Sequence, residues 1–575
     1  MGALSKKVVA LSRQIQVKWW SKSKRNWIEG GDQNTKYFHN IVKMNRRRNE
    51  IEKLEIDDKI VSDNKQMANG FADWYKRMWK TNEDEEINPE VFDSIKWNEI
   101  TQEDGEMLVK DFKEKEMWIA ANSLGRGKSS GIDGYILEFY LFSWDIIKGK
   151  LKRDFDNFHR TGILQEGWND TVLTMIPKKD KASQITKFRP IALCNVMYKM
   201  LAKLIANRMR PLLNDLIGQE QAAFIPKRQM HDNTLIVSEI VESLSKSKSK
   251  NPYIIVKLDL EKAYDRTNWK VIYQVMERMK FPKEIVMWIK GCLERIKFCY
   301  KINGETSYWF NSYKGIRQGN PLSPYLFIIM EQLLSAIINN FVKKGKNKPY
   351  KIKDYQLSHL SFADDIILVV KGNQKSCKGV MEALKSYYNM TGQKINMQKS
   401  ECYFPVKCEA RVRQNICNWL EMREGKFPMM YLGTMISHKR LNMEQEEKVV
   451  SKVERKIETW AKGMVSQAGK CILINSVVCS IPAHSMMTSW VSERSVNRIV
   501  KIAREFFWAT GNSEKPAKLI GWKKITARRS EGGLGIRDLF IMKKALVGKG
   551  ILPLLNDENE NRCSLLKAKY NNFHP

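Results

Sequence analysis

Phe362-Ala363-Asp364-Asp365-Ile366-Ile367-Leu368-Val369-Val370 is the stretch that decides how this sequence folds. It is apolar and largely β-branched apart from two adjacent aspartates, so it predicts two strands of a hairpin interrupted by Asp364 and Asp365. A second run, Tyr253 to Leu260 (YIIVKLDL), reads as a buried strand with Asp259 at its end. A buried carboxylate without a partner is costly, so these acids should be paired, protonated or bound to a cation. Two aspartates brought together from different strands form a hard oxygen site of the kind magnesium takes when it also binds phosphates. For Asp364-Asp365 alone, a polar hairpin tip is the plainer reading, and on these residues both stay open.

Moving outward, the pattern is mixed α and β. Tyr198 to Met209 sets Leu201, Leu204 and Ile205 on one helical face, and Asn268 opens a helix striped by Val271, Ile272, Val275 and Met279. Past residue 440, segments such as Val449 to Trp460 are helical and basic in pattern. At roughly 100–200 residues per domain, a 575-residue chain has room for about three or four.

Charge narrows the partner. With 98 Lys and Arg against 64 Asp and Glu, the chain carries +34, a balance suited to a polyanion: nucleic acid or an anionic membrane. No clean spanning segment favours the membrane, because the apolar run Pro324 to Ile338 is broken by Glu331 and Gln332, short of the ~20 residues a crossing needs. Neither a signal peptide nor a myristoylation site is read at the N-terminus, where Lys6 stands in place of Ser or Thr; the chain reads as intracellular. Ten scattered cysteines without a C-x-x-C pair read as reduced structural thiols. Residues 1–48 carry net +10 among Trp19, Trp20, Trp27, Tyr37 and Phe38, as backbone and base contacts would require; a solvated helix face with inward aromatics is the alternative. Residues 81–116 reverse to net −9, which suggests an acidic connector, and Ser243 to Pro252 is a polar break.

Three blocks then stand out in order: Lys257-Leu258-Asp259-Leu260-Glu261-Lys262-Ala263-Tyr264-Asp265, Gly315-Ile316-Arg317-Gln318-Gly319-Asn320-Pro321-Leu322-Ser323-Pro324, and Phe362-Ala363-Asp364-Asp365. These resemble palm motifs A, B and C of reverse transcriptases, in the wording of LINE-type non-LTR retrotransposons, particularly plant ones. Further blocks resemble the same family: Lys128 to Gly134, Phe188-Arg189-Pro190-Ile191, Gln221-Ala222-Ala223-Phe224-Ile225-Pro226, Gly392 to Asn396 with Lys399-Ser400, Tyr431-Leu432-Gly433, and Glu531 to Gly535.

The resemblance implies an α+β right-hand polymerase, an RNA-directed DNA polymerase acting on an RNA template, a DNA primer or target, and dNTPs. It divides the chain into a basic nucleic-acid-binding arm (1–80), an acidic connector (81–120), fingers (121–250), a palm (251–430), and a primer grip with helical thumb (431–575). Asp259 and Asp364 would hold two magnesium ions, with the Leu260 carbonyl as a further contact. Asp365, a strand neighbour of Asp364 pointing to the other face, would be a supporting carboxylate. Tyr264 matches the aromatic gate that excludes a ribose 2′-hydroxyl. Gln318 and Gly319 would line the nucleotide pocket, Gly319 because any side chain would collide there. Arg189 and Arg228 are candidates for the triphosphate or for template phosphates. Lys399 resembles the motif D lysine that protonates leaving pyrophosphate, and Tyr431, Leu432 and Gly433 match the primer grip.

Two positions depart from the pattern: Asn320 replaces the usual acid, and Lys227 the usual glycine. The resemblance also implies an upstream endonuclease for which this chain has no room, so a fragment or degenerate copy is expected. A catalytically silent nucleic-acid-binding remnant is the alternative, and a DNA-templated polymerase a second one. Nuclear location follows only from the need to meet chromosomal DNA. Gly127-Lys128-Ser129 is similar to a phosphate-binding loop, but Asn122 stands where that loop needs glycine. The seven histidines form no metal spacing and read as structural or surface residues.

Overall fold

A computed structural model describes residues 36–80, 89–247, 249–438, 443–458, 465–488, 491–509, 520–556 and 561–570. Trp19, Trp20 and Trp27 of the basic arm, and the side chains of Tyr37 and Phe38, lie outside the described residues. The chain divides into two compact units, one of Asn49–Asn233 with Leu244–Lys426, the other of Met1–Arg48, Thr234–Ser243 and Phe427–Pro575.

The first unit is built on two sheets. Their strands, in chain order, are β1 (Thr171–Pro177), β2 (Phe188–Cys194), β3 (Tyr253–Asp259), β4 (Lys297–Ile302), β5 (Glu305–Thr306), β6 (Phe310–Asn311), β7 (His359–Phe362), β8 (Asp365–Lys371), β9 (Glu401–Tyr403) and β10 (Arg423–Glu424). One sheet runs β2-β1-β4-β5, with β6 also pairing β4. The other runs β7-β8-β3-β9-β10, antiparallel except for the last pair. At its centre β3 and β8 lie in register from Asp259 opposite Asp365 to Tyr253 opposite Lys371. Ile254, Ile255, Val256, Leu258 and Ile366 to Val370 are all buried, which is why these strands lack polar alternation. Each such side chain contributes roughly 1.5–3 kcal/mol of burial, an upper bound against an extended chain.

Helices α1 (Val196–Met209), α2 (Trp269–Arg278), α3 (Ser323–Lys343) and α4 (Gln374–Thr391) supply a large part of the same core. Asn268 caps α2 by accepting from Lys270 N, and Asn373 caps α4 by accepting from Ser376 N. Two helical stretches, Ser323–Lys343 and Gln467–Met487, are long and apolar enough to cross a membrane by length and composition. In α3 that apolarity is explained by the core, where twelve of its residues are buried.

The region expected as arm and connector differs from expectation. Asn64–Met78 is a helix that buries Met67, Phe71 and Tyr75, with Phe71 edge-on to Phe188 at 5.4 Å and Tyr75 against Tyr300 at 5.3 Å. Trp79 packs on Phe298 at 5.0 Å and donates from Nε1 to the Asp265 carbonyl. From about residue 51 these aromatics are core rather than stacking surface, because apolar area in a helical stripe gains more from burial than from water. Residues Glu114–Ser123 of the acidic stretch likewise bury Met117, Ala120 and Ala121.

The second unit is helical, with a hairpin of Met429–Tyr431 and Thr434–Ile436. Helix Glu493–Trp508 turns Val496, Ile499, Ala503, Phe506 and Phe507 into its core. Lys569 bridges Glu239 at 2.6 Å and Glu242 at 2.8 Å, joining chain segments 330 residues apart.

Candidate active site

The acids gather at one end of the β3–β8 pair. Phe362 pairs with Asp365, so Ala363 and Asp364 form a two-residue turn, with Ala363 at φ +54°. Hairpin turns of this length need a positive φ, usually supplied by glycine. Asp364 is exposed at the tip of the turn, and Asp365 begins β8 directly opposite Asp259. This alters the expectation for Asp365. Paired residues of an antiparallel ladder share a face, so Asp365 belongs on the face of Asp259, and alternation from Asp364 does not apply because Asp364 is not in the strand. Although the residue is open to solvent, the protein packed around the turn partly desolvates the Asp364 carboxyl and raises it; the charge of Asp259 adds to this, while its own backbone N–H and Arg189 oppose it. Asp365 is raised by burial and by Asp364, with Lys257 opposing. Such mutual repulsion is the electrostatic condition a bound cation relieves. Among the described residues no three His, Cys, Asp or Glu side chains already form a metal cage. By the chemistry of its donors, a pair of aspartate carboxylates is the set magnesium takes when phosphates complete its shell.

A basic rim faces these acids. Lys399 Nζ stands 3.4 Å from Asp259 Oδ2, placed by the segment after α4 whose Asn396 N–H donates to the Asp259 carbonyl and whose Ser400 Oγ accepts from Asp259 N–H. The adjoining bond, Glu261 N to Lys394 O, leaves the Leu260 carbonyl out of this ladder. Arg189, exposed on β2, and Lys178, just past β1, complete the rim. Lys178 is lowered chiefly by burial and then by the charges of Lys399 and Arg189, with Asp265 and Asp259 opposing. Lys178 escaped the sequence reading; its signal was the Lys178-Lys179 pair closing an apolar strand just before the Phe188 block.

Behind the rim, Lys262 adopts φ +52° and buries its ammonium 4.1 Å from the Trp74 ring centre, donating to Tyr75 Oη at 2.9 Å. Burial pushes it down to about 8. Asp265, fully enclosed nearby, is pushed up to about 6 by burial, against the pull of Lys262, Lys178 and Arg266.

The residues expected to line the nucleotide pocket are fixed by packing. Tyr264 stacks flat on Phe327, centroids 4.8 Å apart and planes 11° apart. Burial raises its hydroxyl, as do the nearby charges of Asp364 and Glu331. The carbonyl of Gln318 accepts from Ala192 N at 2.9 Å, tying the loop to β2. Gly319 holds φ +107°, and a Cβ there would stand 3.4 Å from the Ala192 carbonyl oxygen. Backbone conformation, more than collision, is what requires glycine at 319. Asn320 is buried, donates to Tyr198 Oη at 2.9 Å and accepts from Leu322 N, so it shapes the start of α3.

Two sets of residues are engaged in other contacts. Arg228 is spent on main-chain carbonyls, donating to Gly218 at 2.5 Å, Gln221 at 2.7 Å, and Asn214 and Ile217 at 2.9 Å, where the short helix Leu213–Leu216 ends. Its assignment to the triphosphate is therefore replaced by a structural one, because its donors are already engaged. Tyr431, Leu432 and Gly433 belong to the second unit: Tyr431 is buried, and Leu432 (φ +46°) and Gly433 (φ +79°) make the hairpin turn. His484 Nε2 lies 2.8 Å from both the Leu432 carbonyl and Thr434 Oγ1, bracing that turn. A cavity of about 850 Å³, lined by Trp74, Arg266, Lys385 and Tyr388 among others, includes none of the three aspartates.

Residues 176–436 match the family described as Reverse transcriptase (RNA-dependent DNA polymerase). Over 524 residues the chain is 23% identical to the Transposon TX1 uncharacterized 149 kDa protein of Xenopus laevis, covering 88% of this chain and 38% of that one. It is 25% identical over 265 residues to the Pol polyprotein of the type-1 retrotransposable element R2 of Nasonia vitripennis, covering 45% of this chain and 24% of that one. A putative ribonuclease H protein of Arabidopsis thaliana is 30% identical over 135 residues, 24% of this chain and 22% of that protein. The chain thus spans between 22% and 38% of the length of these relatives.

Proposed function

We propose that this chain is an RNA-directed DNA polymerase of the non-LTR retrotransposon kind, with the α+β fold of right-hand polymerases, on the strength of the reverse transcriptase match over residues 176–436. It would extend a primer 3′-hydroxyl with deoxynucleoside triphosphates on an RNA template, and would act in the nucleus. The observation that carries this is the grouping of Asp259, Asp364 and Asp365 at one sheet end, with Lys399 3.4 Å from Asp259 and the charges of Arg189 and Lys178 acting on the same acids. The sheet β2-β1-β4 would serve as fingers, the sheet around β3 and β8 as palm, and the helical second unit as thumb with its primer grip at Tyr431 to Gly433.

In this reading Arg189 and Lys178 bind the triphosphate, and Tyr264, backed by Phe327, limits the space at the sugar. Asp259 and Asp364, with Asp365 beside them and the Leu260 carbonyl in reach, would hold two magnesium ions, whose chemistry when bound is to activate the primer hydroxyl and neutralise charge on the phosphates. Lys399 would leave Asp259 for the departing pyrophosphate and hold a proton there. Positioning and electrostatics account for the rate, since in-line displacement asks the protein for little covalent chemistry. The test is extension of a DNA primer on matched RNA and DNA templates with magnesium, comparing the wild type with Asp364→Ala. RNA-templated synthesis abolished by the substitution is expected; equal extension by both proteins, or strong preference for the DNA template, refutes the reading.

A further inference from the structure

The turn that carries Asp364 has a conformation its own sequence disfavours: a two-residue hairpin loop with alanine, not glycine, at φ +54°. Something outside the hairpin has to hold it. The N–H of Ala363 donates to Gln221 Oε1 at 3.0 Å, and the same oxygen accepts from Ala223 N at 2.8 Å. Gln221 is itself locked beside β7, since Ala222 N donates to Ser361 O at 3.0 Å and Ser361 N to Glu220 O at 2.8 Å. The other end of the amide donates from Nε2 to Glu331 Oε2 at 2.6 Å. Gln221 and Glu331 are 2% and 1% exposed, so water cannot substitute for either partner.

An amide of this kind works in only one orientation. Its oxygen must face the two backbone N–H groups, and an acceptor behind its nitrogen enforces that sense. Glu331 is that acceptor, which explains a buried carboxyl in the middle of helix α3. Phe327, four residues earlier and so on the same helical face, is the ring under Tyr264. One helix face thereby supports both the nucleotide-side tyrosine and the metal-side turn.

We propose that Gln221 and Glu331 are positioning residues for the catalytic turn: a buried amide–carboxyl relay from helix α3 that holds Ala363, and with it Asp364, in the geometry that binds metal and promotes transfer. This rests on the polymerase reading above.

The experiment compares Gln221→Leu, Gln221→Glu, Glu331→Leu, Glu331→Gln and the exchanged pair Gln221→Glu with Glu331→Gln. Primer-extension kinetics are paired with manganese titration of the free protein by electron paramagnetic resonance, and with thermal melting. Loss of the relay in Gln221→Leu should lower kcat about 10–100-fold with the KM for dNTP within about twofold, and weaken manganese binding about tenfold. Glu331→Gln still offers an acceptor and should stay within about threefold of wild type. Gln221→Glu alone sets two carboxyls face to face and should fail, whereas the exchanged pair rebuilds the relay with donor and acceptor reversed and should recover most of the loss. A Gln221→Leu protein that melts like wild type and keeps its kcat and manganese affinity overturns the proposal. So does an exchanged pair no better than Gln221→Glu alone. Should Glu331→Leu fail to fold, the Glu331→Gln and exchanged variants still decide. An inactive wild type would count against the polymerase reading, and manganese binding would then test the relay by itself.

Discussion

The ammonium of Lys399 stands 3.4 Å from the carboxylate of Asp259, with both side chains partly open to water. A side-chain cation thus answers the charge of the first aspartate, and it competes with any metal for the same oxygen. Replacing Lys399 by alanine should tighten manganese binding to the free protein up to about fivefold, the range an exposed, salt-screened pair allows. On the proposed role of Lys399 as acid for the leaving group, the same change should lower kcat roughly 10–100-fold. Metal titration and single-turnover kinetics on one preparation separate the two effects, and weaker manganese binding would contradict the competition.

Tyr264 owes its orientation to the flat stack on Phe327. Tyr264→Val should admit ribonucleotides, reducing discrimination between dNTP and rNTP on the order of 10–100-fold, while Tyr264→Phe keeps the ring and stays near wild type. The ratio of kcat/KM values for the two nucleotides measures this.

Arg189 and Arg228 should part company. Arg189→Ala should raise the KM for dNTP about tenfold or more with little change in melting. Arg228→Ala strips partners from four main-chain carbonyls and should cost roughly 2–4 kcal/mol of stability, with nucleotide KM unchanged in the protein that remains folded. Denaturant unfolding alongside kinetics tells these apart.

Asp265 and Lys262 give stability a distinctive pH dependence. Asp265 is held up to about 6 when folded. Between about pH 4 and 6 the native state keeps a proton that the unfolded chain releases, so stability falls as pH rises through that window, by roughly 3 kcal/mol at most. Lys262 is held down to about 8. From about pH 8 to 10 the unfolded chain binds the extra proton, and stability rises with pH. Together they predict a shallow minimum between pH 6 and 8. Urea unfolding from pH 4 to 10 should show it in the wild type, and Asp265→Asn should remove its acid side.

The readable part of this protein was the part where one residue violates its local pattern. Aspartates inside β-branched runs, as at 259 and 364, mark a site because no strand needs them, and β3, the β7–β8 hairpin and α1 lie where periodicity puts them. Register was not readable. That Asp365 faces Asp259 is a relation between two strands more than a hundred residues apart, and the alternation rule misled because Ala363 bends the chain into a turn before β8 begins. Arg228 looked like an anion binder because the carbonyls that occupy it are gathered only by the fold.

Lys569 closes onto Glu239 and Glu242 across 330 residues of chain. During synthesis at about 5–20 residues per second, that interval lasts roughly 15–65 s, in which the acidic partners have left the ribosome and the lysine has not. The sheet that carries the aspartates, complete by Glu424, can assemble within that time. A chain stalled between Glu424 and Lys569 would therefore carry its aspartates in place before the lysine that bridges Glu239 and Glu242 has been made.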